Sequence, residues 1–253
     1  MRTILSLTLM LVLSGVAVLA DDDHDDNANC AGLPTASQLR MLLQQAALTS
    51  NGGRVGGIFE GTRMWAAVVN RAGKICAFNT STSDPSQVWP GSQAIAKSKA
   101  YTGNAFSLDT FALSTARLYT FTQPGHSLWS LGQSNLFDPK ALAPPGGGDG
   151  GKGQIAGGLI FFGGGVPLYK NSKIIGGLGV SGDTSCADHE IAKRVRNLGG
   201  LNPPIALGGM LGDDIIYSPP DPPSVFAHPV CLSTWRNGVP IGDEAPATYP
   251  RVP

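Results

Sequence analysis

Three kinds of hydrophobic pattern follow one another along the chain. From Ile4 to Leu19 the residues are almost all apolar, behind a single positive charge at Arg2 and ahead of Ala20. That is the layout of a secretory signal peptide, and the run falls short of the roughly 20 residues that a membrane span needs. Cleavage after Ala20 is expected, so the protein reads as exported, periplasmic or extracellular, with no membrane attachment afterwards. Residues 21–32, led by Asp21-Asp22-Asp23-His24-Asp25-Asp26, read as a solvated acidic linker.

The second pattern is helical. Thr35 with Gln38 makes a capping box, and Leu39, Leu42, Leu43, Ala46 and Ala47 keep the helical period until Asn51-Gly52-Gly53 stops it. An Ala- and Lys-rich segment, 94–106, predicts a second helix with Ser92 as its cap. A third is predicted from Leu108 or Asp109 to Tyr119, with Phe111, Ala112, Thr115 and Leu118 inward. A fourth starts beyond Gly182 with Asp183 or Thr184 as cap. It carries Ala187, Ile191, Val195 and Leu198 as its apolar stripe and ends at Gly199-Gly200.

The third pattern is two β-hairpins. Residues 64–70 and 75–78 are short and β-prone around the turn 71–74, which places Cys76 inside a sheet. Residues 163–180 repeat the arrangement around Lys170-Asn171-Ser172-Lys173. The returning strand carries Gly176, Gly177 and Gly179, where close approach by a helix, a ligand or another subunit is expected. Hairpins segregated from helices predict an α+β fold with a single antiparallel sheet of about five strands, flanked by helices. Two stretches break pattern. Residues 123–153 form a long loop whose Trp129, Leu131, Leu136 and Phe137 are expected to pack on the domain or on another subunit. Residues 199–253 form a proline-rich arm with a short strand at 214–217.

Composition narrows the function classes. The formal charge is zero, so no basic field recruits nucleic acid or an anionic membrane. With 34 glycines and 19 prolines the chain is loop-rich yet still globular. Its four cysteines, Cys30, Cys76, Cys186 and Cys231, suggest two disulfides in an exported chain; three pairings are open, and no CxxC pair exists.

Residues 177–182 spell G-x-G-x-x-G, but neither a following strand nor an acidic residue completes a dinucleotide site, so glycine for tight packing is preferred. Ser181, Asp183, Asp188 and His189 do not assemble the G-x-S-x-G elbow of a hydrolase. Cys186 and His189 can share a helix face as soft-metal ligands, yet the pair reads first as a surface histidine beside a disulfide-bonded cysteine. His126 and His228 lie in loops, where an axial haem-iron role competes with plain solvation.

Residues 164–170 (GGVPLYK), 175–182 (IGGLGVSG) and 186–192 (CADHEIA) resemble the C-terminal signature of the GlcG/HbpS haem-binding protein family. The helix 94–106 resembles that family's Ala/Lys-rich helix, and the likeness spans roughly residues 33–198. The 123–153 insertion, the cysteines and the proline-rich tail resemble the longer exported members. The resemblance implies an antiparallel sheet flanked by helices, frequent homo-oligomers, and haem or iron binding in some members. The reading that follows is an exported, non-enzymatic haem- or tetrapyrrole-binding protein. His189 is its candidate axial ligand, and Lys99, Tyr101, Gly179, Gly182 and Asp183 are its pocket. A small-molecule or redox enzyme using the 177–190 corner is one rival; an oligomeric scaffold or sensor partner without ligand is the other.

Overall fold

The capping box forms as the sequence predicts. The Gln38 amide donates to Thr35 Oγ1 at 3.3 Å and the Thr35 amide donates to Gln38 Oε1 at 2.9 Å. Helix α1 (Ala36–Ala46) follows, burying Leu39, Leu43 and Ala46. The computed structural model describes residues 30–142, 150–207 and 212–245. The signal peptide, the acidic tip and most of the glycine tract lie outside the described residues. Among the described residues no helix is long and apolar enough to cross a membrane.

Both hairpins are present. Strands β1 (Trp65–Asn70) and β2 (Ile75–Thr80) form one, and β3 (Gly165–Lys170) and β4 (Lys173–Ser181) the other. They join through β1 and β4 into one antiparallel sheet of order β2-β1-β4-β3. The fold is α+β, with four strands in this sheet against the five or so expected. Helix α2 (Ser92–Ala105) covers one face; α1 and α3 (Ser185–Leu198) cover the other. β1 is therefore buried on both sides. Ala66 and Val68 pack with α1 and α3, while Trp65, Ala67 and Val69 pack with Ala96 and Ala100 of α2.

The glycines of β4 explain how α2 gets so close. A methyl group on Gly177 would run into the Ala100 carbonyl oxygen, and one on Gly179 into that of Ala96. Gly179 is thus occupied by a helix of its own chain rather than by a ligand. The obstacle is backbone on both sides, so Gly179→Ala is expected to destabilise by about 3 kcal/mol, the upper part of the overpacking range. Urea denaturation checks this, and a loss below about 1 kcal/mol would mean that α2 can step back.

The predicted helix 108–119 does not form. Leu108 and Phe111 make an isolated bridge instead, followed by 3-10 turns at Thr115–Leu118 and Thr120–Thr122. Polar side chains have taken the backbone groups that a helix would use. Ser107 Oγ accepts from the Leu113 amide and donates to its carbonyl, and the Tyr169 hydroxyl donates to the Leu108 carbonyl. Thr115 Oγ1, meanwhile, accepts from the Gly165 amide and donates to Phe162 O.

In the long loop, Trp129 and Leu136 are exposed, at 52% and 78%, and do not dock on the domain. The C-terminal segment is better anchored than an extended arm. It carries a parallel ladder of β5 (Ile216–Tyr217) and β6 (Ala227–His228) and a hairpin of β7 (Thr234–Arg236) and β8 (Val239–Gly242). Disulfides join Cys30 to Cys76 and Cys186 to Cys231, the second fastening this segment to the first turn of α3.

Candidate functional site

The corner between β4 and α3 is built from its backbone outward. A side chain at Gly182 would strike the Arg63 carbonyl, so glycine lets the chain turn against its neighbour. Thr184, not Asp183, caps α3 by accepting from the Ala187 amide at 3.3 Å. Asp183 instead holds the loop before β1. Its carboxylate accepts from the amides of Ile58 at 2.7 Å, Phe59 at 2.8 Å and Gly61 at 3.3 Å. It is a structural anchor, with its acceptor sites filled by backbone.

Lys99 reaches this corner from α2, wholly buried. Its ammonium donates to Asp188 Oδ2 at 2.7 Å and to the Val180 carbonyl at 3.1 Å, 5.0 Å from the centre of the Phe162 ring. Asp188 Oδ1 also accepts from the Asp183 amide at 3.0 Å. Burial pulls the Lys99 ammonium below its usual range and pushes the Asp188 carboxyl up to about 6. Tyr101, by contrast, packs over Gly73 in the β1–β2 turn, away from the corner. The expected pocket set is therefore divided: Lys99 and Asp183 both contact Asp188 beside Gly182, Gly179 is packed beneath the stem of Lys99, and Tyr101 lies elsewhere.

His189 is not the surface histidine that its sequence position suggested. It is fully buried, and neither ring nitrogen has a hydrogen-bond partner among the described residues. Burial pushes its pKa well below the usual value, with the Lys193 charge adding to the effect, so the ring is neutral. Its partner in the proposed soft-metal pair, Cys186, is committed to a disulfide. His126 is exposed. His228 is buried, and its pKa falls to about 4, chiefly through burial.

A separate opening lies along the C-terminal half of α3. A cavity of about 720 Å³ is lined by Arg117, Arg196, Leu207, Asp213 and Ile215, with Arg236 among the charged groups at its wall. Its acids are engaged. Asp213 pairs with Arg196, Asp221 with Arg236 at 2.6 Å, and Asp214 with Lys193 at 2.7 Å. Arg117 Nε donates to the Asp214 carbonyl at 2.6 Å. Lys193 is one turn beyond His189 on α3, and its charge and that of Asp214, which lines the cavity, both act on the imidazole, although His189 does not itself line the cavity. Sequence reasoning missed the cavity because its two walls, α3 and the segment 203–236, are brought together by tertiary contacts alone. The second omission was His228-x-x-Cys231, a ligand-like spacing that was legible and went unused.

A family model described as haem degrading protein HbpS-like matches residues 54–196. The chain belongs to that family. The match runs from the loop before β1 into α3, so the sheet, α2 and the β4–α3 corner are family features. The C-terminal wall of the cavity lies outside the match.

Solved structures similar to this family member include the ORFY protein of Klebsiella pneumoniae, at 21% identity and a TM-score of 0.45 over 65% of this chain and 87% of that one. A complex of PduOC with heme gives 22% identity and a TM-score of 0.43, covering 64% and 88%. A double mutant of HbpS from Streptomyces reticuli gives 16% and 0.38, covering 76% and 98%. No curated protein matches the chain.

Proposed function

We propose that this is an exported protein that binds haem or a related tetrapyrrole without turning it over, and that it assembles as a homo-oligomer. Family membership supports the ligand class. The observation that carries the reading is the buried, neutral imidazole of His189, without a hydrogen-bond partner among the described residues and one helical turn from Lys193, whose ion-pair partner Asp214 lines the 720 Å³ cavity. A buried ring with two unsatisfied nitrogens is costly unless something uses it, and a neutral imidazole is a good iron ligand. Leu207 and Ile215 offer apolar contact to a macrocycle. Haem, when bound, supplies a redox-active iron with an open coordination position.

Binding is favoured over turnover because the corner's reactive groups are spent on structure. Asp183 is filled by backbone amides, and Lys99 and Asp188 neutralise each other. The apolar run 4–19 and the two disulfides support export. Exposed Trp129, Leu136 and Phe137 support a subunit contact in the long loop. Hemin titration of the mature protein is expected to give a saturable Soret shift that weakens at least tenfold in His189→Leu. No shift, or one unchanged in that variant, would overturn the assignment.

A further inference from the structure

The disulfide that fastens the C-terminal segment sits in surroundings that a structural staple does not need. Cys186 is the second residue of α3, Cys231 lies between β6 and β7, and His228 is the last residue of β6. The two sulfurs and a ring nitrogen of His228 lie within 4.8 Å of one another, and all three residues are buried. His228 Nδ1 is 2.7 Å from the Pro229 carbonyl, which fixes its proton there and makes Nε2 the accepting nitrogen. Nε2 accepts from the Gly163 amide at 3.2 Å and stands 3.4 Å from Ser185 Oγ. Ser185 Oγ is in turn 3.3 Å from Cys231 Sγ, so an oxygen donor borders the same space.

A backbone carbonyl orienting the far nitrogen of an imidazole is the outer-shell arrangement of histidine metal ligands. Ala116, Ile215 and Tyr217 close the site with apolar surface, and the Tyr119 ring lies 5.0 Å from the His228 ring. The other disulfide, Cys30–Cys76, belongs to no such ligand group among the described residues.

We propose that Cys186, Cys231 and His228 form a latent soft-metal site, closed while the disulfide stands and able to hold one Zn²⁺ once it is reduced. A dithiol reductant delivers two electrons and two protons to the S–S bond and leaves as its own cyclic disulfide. The two thiols then bind the cation through sulfur and release their two protons to solvent, while His228 Nε2 supplies the third ligand. Ser185 Oγ, still protonated, stands at the fourth position. Two thiolates cancel the charge of a divalent cation, so the buried site carries no net charge. Sulfur and imidazole donors in this ratio select zinc over the hard cations calcium and magnesium. The C-terminal segment thereby has two interchangeable fastenings, a covalent one in oxidising surroundings and a metal-held one in reducing surroundings. This inference is independent of haem binding.

The test uses Co²⁺ as a spectroscopic probe on the full mature protein, reduced with a metal-compatible reductant. One equivalent of Co²⁺ is expected to give sulfur-to-cobalt charge-transfer absorption and the visible bands of tetrahedral cobalt, both erased by Zn²⁺. Cys231→Ser is expected to abolish the spectrum, His228→Ala to weaken Co²⁺ binding at least tenfold, and Cys30→Ser to leave it intact. No charge-transfer band, or one that survives Cys231→Ser, overturns the proposal. Should reduction alone unfold the protein, far-UV circular dichroism reads the answer: Zn²⁺ is expected to restore the folded signal, and failure to do so overturns the proposal equally.

Discussion

Asp183→Ala is expected to lower the stability of the fold by about 4 kcal/mol, the largest effect of any single polar replacement in the corner. The carboxylate accepts from the Ile58, Phe59 and Gly61 amides across more than a hundred residues of sequence, and from Thr184 at 2.7 Å. Each amide left unpaired out of reach of water costs about 1–3 kcal/mol, and the loop 56–61 lies too close to α3 to admit much solvent. Gly57 is itself so near that a Cβ there would meet the Asp183 carboxylate. Asp183→Asn keeps one acceptor oxygen and is expected to lose about half as much. Urea or thermal unfolding of the two variants measures this. A loss under about 1 kcal/mol for the alanine variant would show that the loop finds other partners and that Asp183 is available for chemistry after all.

Acid is expected to weaken the protein well before its surface carboxylates titrate. His228, held at about 4 in the fold against 6.5 unfolded, binds its proton later than the unfolded chain does. Between those values the unfolded state therefore holds the extra proton, and stability falls as pH falls. His189, lowered in the same direction by its burial, adds to the effect. Asp188 works the other way. Raised to about 6 beside Lys99, it takes up its proton in the fold earlier than in the unfolded chain and returns some stability on acidification from about 6 towards 3.8.

The two histidines together oppose the single carboxyl, so the net effect is a loss of stability as pH falls below about 6. Denaturation at pH 7, 6 and 5 is expected to show that decline. His189→Leu removes one of the two histidine contributions, so its decline across the same window is expected to be shallower. A variant that keeps the full slope would place the acid-sensitive group elsewhere.

What was readable beforehand follows from how local each signal is. The capping box at Thr35 and Gln38, both hairpin turns and the packing role of Gly177 and Gly179 are set by neighbouring residues or by strand period, and all appear. The burial of α3 was not readable, because two different partners cover it. Ala187, Ile191 and Val195 of its apolar stripe join the core as predicted while Leu198 stays exposed, yet Asp188, His189, Glu190, Arg194 and Arg196 on its polar side are buried as well. Lys99, the loop at Gly52 and Gly53, and Asp213 satisfy the charged residues of that face. A helix with charges along one flank reads as solvated when its partners lie far away in sequence. The 108–119 segment failed because Ser107 Oγ takes both backbone groups of nearby Leu113, while Thr115 spends its hydroxyl on the distant backbone of Phe162 and Gly165. For the site, the residue types at the corner were right, while their roles depended on contacts from the C-terminal segment.

The sheet order carries a consequence for the way the chain comes together. β1 lies between β2, its near neighbour in sequence, and β4, more than a hundred residues away, which it pairs along its whole length from Trp65 with Ser181 to Asn70 with Gly176. As the chain is made, the first hairpin must wait with one bare apolar edge until the second arrives, after a loop insertion has been threaded past it. Closing so long a loop is slow compared with local helix pairing. For that interval the open edge of β1 is a surface on which another chain can pair. The order of strands thus fixes both the last step of folding and the moment of greatest risk.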